Sequence, residues 1–316
     1  MDYNFKKIEE KWQDQWKSNT TTTGSKKLVV PMFPYPSGSL HMGHMRCYTI
    51  SDVIARYFRN QGYNVVHPMG FDSFGSPAEN IAIQKGVHPK AWTDNNIENM
   101  KSQMIKMGMV FDWDREVSTC EVDYWKWEQK FFIDMWKAGF IEKKVGVVNW
   151  DPIDQSVIAN EQVINGKGWR SGATIEQKEM VQYYFKTTAF AQDMHDSISE
   201  IESTWPDIIT KAQKQFIKNG TQKGDVNVPY SDWCVSRQRY WGTPIPMINC
   251  NSCGTIPNES IPVTAPMDVV FDGKGNPIAN HPTWKDITCP NCGGNAEKET
   301  DTMDTFVQSS WYFVRY

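Results

Sequence analysis

Two histidines three residues apart, His41 and His44, flank Gly43 where a segment rich in proline and glycine gives way to a helical pattern. From Met42 onward the apolar residues Met45, Tyr48, Ile54 and Phe58 recur at roughly helical spacing, and Pro34, Pro36 and Gly38 break the chain before them. The histidines therefore fall at a helix start, where free N–H groups and the positive end of the helix dipole attract phosphate. Gly43 lets a flat ring such as adenine approach the backbone closely. Such a turn suits a phosphate whose charge grows during reaction. The spacing alone is equally that of two ordinary surface histidines.

A second constellation lies far along the chain. Cys250-Asn251-Ser252-Cys253 and Cys289-Pro290-Asn291-Cys292, each followed by glycine, form two knuckles that can give four thiolates to one tetrahedral Zn2+. A closed four-thiolate shell leaves no open coordination position, so this zinc is expected to be structural. The alternative is four reduced thiols without metal. Cys47, Cys120 and Cys234 are isolated and read as core or incidental thiols. Seven cysteines, four of them in Cys-x-x-Cys pairs, fit a reducing compartment better than a disulfide framework.

The elements that must hold these residues follow from apolar spacing. Phe5, Ile8, Trp12 and Trp16 predict an opening amphipathic helix packed on the body, with residues 1–24 forming this helix and a polar connector. Residues 27–33 and 63–67 read as buried strands, 77–84 and 92–107 as helices, 124–138 as a helix ended by Gly139, and 140–150 as a strand region. Strand–helix alternation of this kind implies an α/β fold with a doubly wound parallel sheet, whose ligands bind at the carboxyl ends of the strands. With 316 residues and 40% hydrophobic content the chain can bury a core, and its net charge of −4 provides no global basic field for nucleic acid. Its charged amino terminus has no signal-peptide core and no apolar run approaches the ~20 residues that span a bilayer, so no membrane partner and a cytoplasmic location are expected.

The whole string Pro31-Met32-Phe33-Pro34-Tyr35-Pro36-Ser37-Gly38-Ser39-Leu40-His41-Met42-Gly43-His44 resembles the ATP-binding signature of class I aminoacyl-tRNA synthetases, and its lead-in resembles the leucyl enzymes. The resemblance continues through residues 70–79, 148–150, 159–163, 233–242 and 301–306. It implies a Rossmann-like catalytic domain carrying a zinc-ribbon insertion. It also implies a two-step reaction in which leucine and ATP give leucyl-adenylate, with Mg2+ accompanying ATP, and tRNA(Leu) then takes the acyl group. His41 and His44 would be catalytic and, with Gly43, would bind ATP. Asp72 and the Phe33 backbone would hold the leucine ammonium, and Met32, Tyr35, Phe306, Ser309 and Tyr312 would border its side chain. Read without the resemblance, Asp72 is also a turn former and the apolar residues are also core. Arg237 and Arg239, beside a turn through Gly242, suit an RNA end or an exposed basic strand, and the resemblance places them near the tRNA acceptor path.

The expected organisation is a first catalytic part over 25–212 with an insertion near 151–180, a linker over 213–230, a return to the catalytic domain over 231–247, a zinc-ribbon-like insertion over 248–298, and a shortened catalytic end over 299–316. In many leucyl enzymes the first insertion binds zinc, but the positions that would carry cysteines are Asp151, Lys167, Gly168 and Ser171, so no metal is expected there. The short linker stands where leucyl enzymes insert a large editing domain, which implies no hydrolysis of mischarged tRNA. The Lys-Met-Ser-Lys-Ser loop of class I enzymes does not occur, so the chain reads as the front part of an enzyme, with a carboxyl-terminal half as a candidate separate partner. Two other readings are a valyl or isoleucyl relative, and a non-catalytic fragment that binds tRNA or docks to a partner.

Overall fold

The computed structural model describes residues 4–17, 24–221, 231–271 and 276–316. They form two compact units, Met1–Trp125 with Gln308–Tyr316, and Lys126–Val307.

The first unit begins with α1 (Phe5–Lys17), β1 (Lys26–Leu28), α2 (Met42–Asn60) and β2 (Asn64–Val66). It continues through β3 (Gly70–Phe71), α3 (Ser76–Lys85), α4 (Pro89–Lys106) and β4 (Val117–Ser118). Helix α5 (Val122–Lys137) runs from this unit into the second. Strand β1 pairs in parallel with β2 across α2, and β3 pairs in parallel with β4 across α3 and α4. These are strand–helix–strand crossovers of the expected kind, held by a core of Tyr48, Met69, Phe71, Ile97, Met100 and Phe111. Strand β1 is shorter than the expected 27–33 and its three residues are exposed. The ladder extends one step further, Val29 N–H donating to Val66 O at 2.9 Å, and Pro31 then has no N–H to continue it. The opening helix also differs from expectation, because Phe5, Ile8, Trp12 and Trp16 remain exposed. Its recorded ties to the body include the Arg56 guanidinium over the Trp16 ring and a Gln13–Lys106 hydrogen bond.

In the second unit β5 (Ile141–Asp151), β6 (Ser156–Ile158), β7 (Val163–Ile164), β8 (Lys167–Gly168) and β9 (Glu176–Phe185) precede the helical hairpin α6 (Ala191–Ile201) and α7 (Asp207–Thr221). Then come β10 (Trp233–Cys234), β11 (Ser236–Arg237), β12 (Met247–Cys250), β13 (Gly254–Pro257), β14 (Asp286–Thr288), β15 (Asn295–Lys298) and β16 (Thr302–Met303). The boundary between the units falls within helix α8 (Phe306–Ser309), and α9 (Tyr312–Arg315) belongs to the first. A four-stranded antiparallel sheet has the order β10-β9-β5-β6, with β5 and β9 paired from Ile141↔Phe185 to Trp150↔Glu176. Phe132, Tyr183, Val235, Ile245, Met247 and Val307 lie in its main core. The excursion expected over 151–180 is therefore the far end of a long two-stranded ribbon and the turns beyond it.

The linker expected from residue 213 begins instead inside α7, and its residues 222–230 lie outside those described. Lysines and glutamines give α7 its polar composition, yet Ile217 packs with Ala191 and Ile198 of α6, so one buried stripe holds the hairpin.

Candidate nucleotide and amino-acid site

The turn before α2 is built by its own histidines. His41 is the N-cap residue, and its Nδ1 accepts a hydrogen bond from Gly43 N–H at 3.1 Å. His44 Nδ1 reaches back to accept from His41 N–H at 3.3 Å, completing a reciprocal capping box. The two imidazoles stack with centroids 3.8 Å apart, and His44 stacks in turn on Tyr48. This corrects the expectation of free amides at the helix start, because the rings themselves take the amides of His41 and Gly43. With each Nδ1 accepting, a neutral ring carries its proton on Nε2, the nitrogen these caps leave as a donor. Burial and the neighbouring His41 hold the His44 pKa below its usual value, which favours that neutral form. Gly43 is required here for a reason beyond ligand approach: a Cβ would lie 2.9 Å from His41 Cε1 and 3.0 Å from Nδ1. The loop is also tethered to α4, Leu40 N–H donating to Gln103 Oε1 at 2.9 Å.

Asp72 follows β3 and is fastened to the same loop, its N–H donating to Pro34 O at 2.9 Å. Its Oδ1 is buried with no hydrogen-bond partner. Burial pushes the carboxyl up to about 7, opposed by a hydrogen bond with Thr119. A buried acceptor in this state is costly unless a cationic donor reaches it. Beside it Phe33 is buried and stacks on Tyr312 with centroids 4.1 Å apart, and the Tyr312 hydroxyl pKa is raised by burial, Cys47 and Asp72. The Tyr35 hydroxyl lies over Gly75, where a Cβ would collide with it and φ is +122°. Ser309 is half-buried in the first unit, whereas Met32 is 71% exposed. Phe306 belongs to the second unit, where its side chain is exposed and its N–H donates to Asp304 Oδ1 at 3.0 Å.

Sequence reasoning missed Tyr316 and the inward role of Tyr48. The Tyr316 hydroxyl is buried without a partner, its ring lies 6.0 Å from that of Tyr312, and burial raises the pKa of both Tyr48 and Tyr316. An aromatic at every fourth position, Tyr312 then Tyr316, was the available signal.

In the second unit the four knuckle sulfurs lie within 4.8 Å of one another, Cys250 Sγ and Cys292 Sγ at 3.6 Å. Tetrahedral Zn–S bonds of about 2.3 Å require sulfurs roughly 3.8 Å apart, so the donor set fits one zinc. Backbone N–H groups of Cys292 and Asn291 pull the Cys289 thiol down, while hydrogen bonds from the other three cysteines push the Cys253 thiol up, so the four sulfurs share their protons as one cluster. Strands β12, β13, β14 and β15 form the antiparallel sheet that carries this cluster. Elsewhere in the unit Asp151 is buried and closes the end of the β5 ribbon, accepting from Ile153 N–H, Asp154 N–H and the Ser171 hydroxyl. A Cβ at Gly168 would run into that carboxylate.

The two arginines are framework rather than free charge. Arg237 pairs with Asp304 and donates to the carbonyls of Cys234 and Ser236, and Arg239 pairs with Asp154 at 3.0 Å. Both side chains are largely buried.

The family profile described as tRNA synthetases class I (I, L, M and V) matches residues 7–315. The chain belongs to that family, and its parallel crossovers with the histidine turn at their mouth are the family's Rossmann-like catalytic fold. Within it, the chain is similar to the leucine–tRNA ligase of a Nitratiruptor species, 33% identical over 509 aligned residues that include all of this chain and 62% of the relative. The leucine–tRNA ligase of Helicobacter pylori is 34% identical, with 99% of this chain and 62% of the relative covered. Among solved structures, the Agrobacterium radiobacter K84 agnB2 LeuRS in a ternary complex with tRNA and LeuAMS superposes with a TM-score of 0.89 at 29% identity, over 100% of this chain and 59% of that one. Mycobacterium tuberculosis methionyl-tRNA synthetase bound by methionyl-adenylate shares the fold, with a TM-score of 0.60 at 17% identity over 93% of this chain and 47% of that one. The chain thus spans about three fifths of the length of the curated relatives it matches. Among the described residues no helix is long and apolar enough to cross a membrane.

Proposed function

We propose that this chain carries the leucine- and ATP-binding site of a leucine–tRNA ligase. The observation that carries the reading is Asp72: a buried carboxylate oxygen without a partner, hydrogen-bonded through its own backbone to the loop that leads into the histidine cap. An α-ammonium supplies the missing donor, and the Phe33 and Tyr312 rings, with Tyr35, Ser309 and Met32, give the apolar side chain its surroundings. The leucine carboxylate is already a nucleophile and attacks the α-phosphate of ATP, giving leucyl-adenylate and pyrophosphate. A terminal ribose hydroxyl of tRNA(Leu) then attacks the acyl carbon, forming the ester and releasing AMP and a proton.

What the protein contributes is position and charge. Nε2–H donors from the two stacked imidazoles, backed by the helix dipole, stabilise charge growing on the phosphates. Their mutual capping fixes both rings before substrate arrives, so little reorganisation is left for the transition state. Mg2+ enters as part of the ATP substrate. Zinc, held by Cys250, Cys253, Cys289 and Cys292, would cross-link the ribbon and has no part in the reaction. Arg237 and Arg239 shape the turn before Gly242 along which an acceptor end would pass. Relatives align over 509 residues where this chain has 316, which supports a second part of the reading: the editing module is absent and mischarged tRNA is not hydrolysed. A cytoplasmic location fits both the thiol chemistry and the substrates.

The test is leucine-dependent exchange of pyrophosphate into ATP by the 316-residue chain. Expected are exchange with leucine, weaker exchange with isoleucine or valine, and loss of about 100-fold or more in His41→Ala and His44→Ala. Exchange undiminished in both variants would refute the role of the histidines, and equal exchange with valine or isoleucine would move the chain to a sibling specificity.

A further inference from the structure

The cap on α2 is built from weak material. Asn, Asp, Ser and Thr cap helices best, yet His41 stands at the N-cap and the first turn holds no acidic residue. An anionic cap would repel a phosphate, so the start of α2 stays uncharged but loosely gripped. The approach to it gives little support of its own: residues 29–41 form no helix or strand, and Pro34 and Pro36 have no N–H to donate.

What braces this approach lies on α4. The inward face of α4, with Ile97, Met100 and Met104, shares one core with Tyr48, and Leu40 packs against the same core. Tyr48 stacks on the His44 ring, so the cap is seated from within. A flanking face of α4 turns Asn99 and Gln103, four residues apart, toward the approach. Gln103 Oε1 accepts from the N–H of Leu40, the residue immediately before the N-cap, at 2.9 Å, and Asn99 Nδ2 donates to Ser39 Oγ at 3.3 Å. The other end of the approach is held by Asp72 N–H, which donates to Pro34 O at 2.9 Å. Its two ends thus have separate posts, Asp72 beside Phe33 and Gln103 beside the histidines.

We propose that Gln103 is a positioning residue for the histidine cap: by accepting from Leu40 N–H it fixes the peptide that leads into His41, and the reciprocal cap passes that restraint to both imidazoles. The proposal rests on the ligase reading for the reaction the rings serve; the brace itself is independent of substrate. A neutral amide oxygen suits the place, because it accepts without bringing charge to the phosphate approach. Without it the N-cap swings, and a displacement of about 1 Å at a catalytic group can cost about 100-fold in rate.

The experiment compares the 316-residue chain with three variants. Gln103→Met and Gln103→Leu keep helix propensity and remove the acceptor in two different shapes, and Gln103→Glu keeps an acceptor oxygen. Amide exchange and imidazole 15N spectra are recorded at pH 8 without leucine or ATP, so their failure is separate from any failure of amino-acid activation. Expected in the Met and Leu variants is amide exchange faster by about fivefold or more at Leu40, His41 and Gly43, the size of one net hydrogen bond. The Nδ1 signals of His41 and His44 should also move toward those of a free imidazole that averages its two tautomers, with an unchanged circular dichroism spectrum. Gln103→Glu should restore both readouts. In leucine-dependent pyrophosphate exchange, Gln103→Met should lose about tenfold or more in kcat while KM for leucine changes by less than about twofold, because Asp72 keeps its own post. Faster amide exchange at Leu40 with His41 and Gly43 unchanged would overturn the proposal, as would loosening shared by Gln103→Glu, or a loss confined to KM for leucine. No pyrophosphate exchange by the unaltered chain would count against the ligase reading, while the spectra still decide the brace.

Discussion

On the reading proposed above, in which Asp72 takes the leucine ammonium, leucine binding should expel a proton at neutral pH. In the free protein the Asp72 carboxyl titrates at about 7, against an ordinary 3.8, because burial penalises its charge and Thr119 offsets only part of that penalty. An ammonium in contact with the carboxylate reverses the balance, so leucine binds the ionised form. At pH 6, roughly nine tenths of the free sites are protonated, so binding releases about 0.9 proton and Kd is about tenfold weaker than at pH 8. Calorimetric titrations at pH 6 in buffers of different ionisation enthalpy read the proton number directly. The stability linkage has the opposite sense. A carboxyl whose folded pKa is raised stabilises the fold most below about pH 4 and loses that contribution as pH climbs toward about 7. Asp72→Asn, neutral throughout, should therefore raise stability at pH 8 by up to about 4 kcal/mol while abolishing both leucine binding and the buffer dependence. A Kd constant between pH 6 and 8 with no buffer dependence in the unaltered chain would refute the reasoning.

Gly43→Ala places a methyl group 2.9 Å from the His41 ring and should cut pyrophosphate exchange at least about tenfold. Helix propensity favours Ala by about 1 kcal/mol, so melting temperature should hold or rise; undiminished exchange would show that the ring yields freely. Gln129, fully buried, donates to the carbonyls of Pro244 and Val263 and accepts from Val263 N–H, all at 2.9 Å. Gln129→Leu strands these three backbone groups and should cost about 3 kcal/mol or more in denaturant unfolding. Metal analysis should find one zinc per chain, and Cys250→Ser with chelator should remove it and lower the melting temperature. Zinc-free protein with an unchanged melting temperature would show that the thiols need no metal.

Features written in neighbouring residues were legible in the sequence. The histidine turn is closed by contacts within three positions, and each cysteine pair lies within one Cys-x-x-Cys string, so both stood out as candidates, whereas the approach of Cys250 to Cys292 joins residues far apart in the chain. Asp72 was legible as a candidate through its surrounding string, but its missing partner was not, because that depends on Thr119 and Tyr312 folding around it. Arg237 and Arg239 looked like free charge since Asp304 and Asp154, which neutralise them, lie far away in the chain. Composition misled at α7, where lysine and glutamine outnumber the few apolar residues that pack. Spacing predicted α1 correctly as a helix but not its exposed stripe, since a periodic pattern specifies a face and not what covers it.

Strand β12 belongs to two cores at once. Met247 at its start packs with Phe132 and Val307, whereas Ile248 and Cys250 pack with the ribbon. Four residues are too few for one end to fray while the other stays seated. If the four sulfurs take up zinc as proposed, loading them would act as a maturation check on the core of the second unit: chains made under metal starvation or oxidation would carry a loosened core and be open to proteolysis.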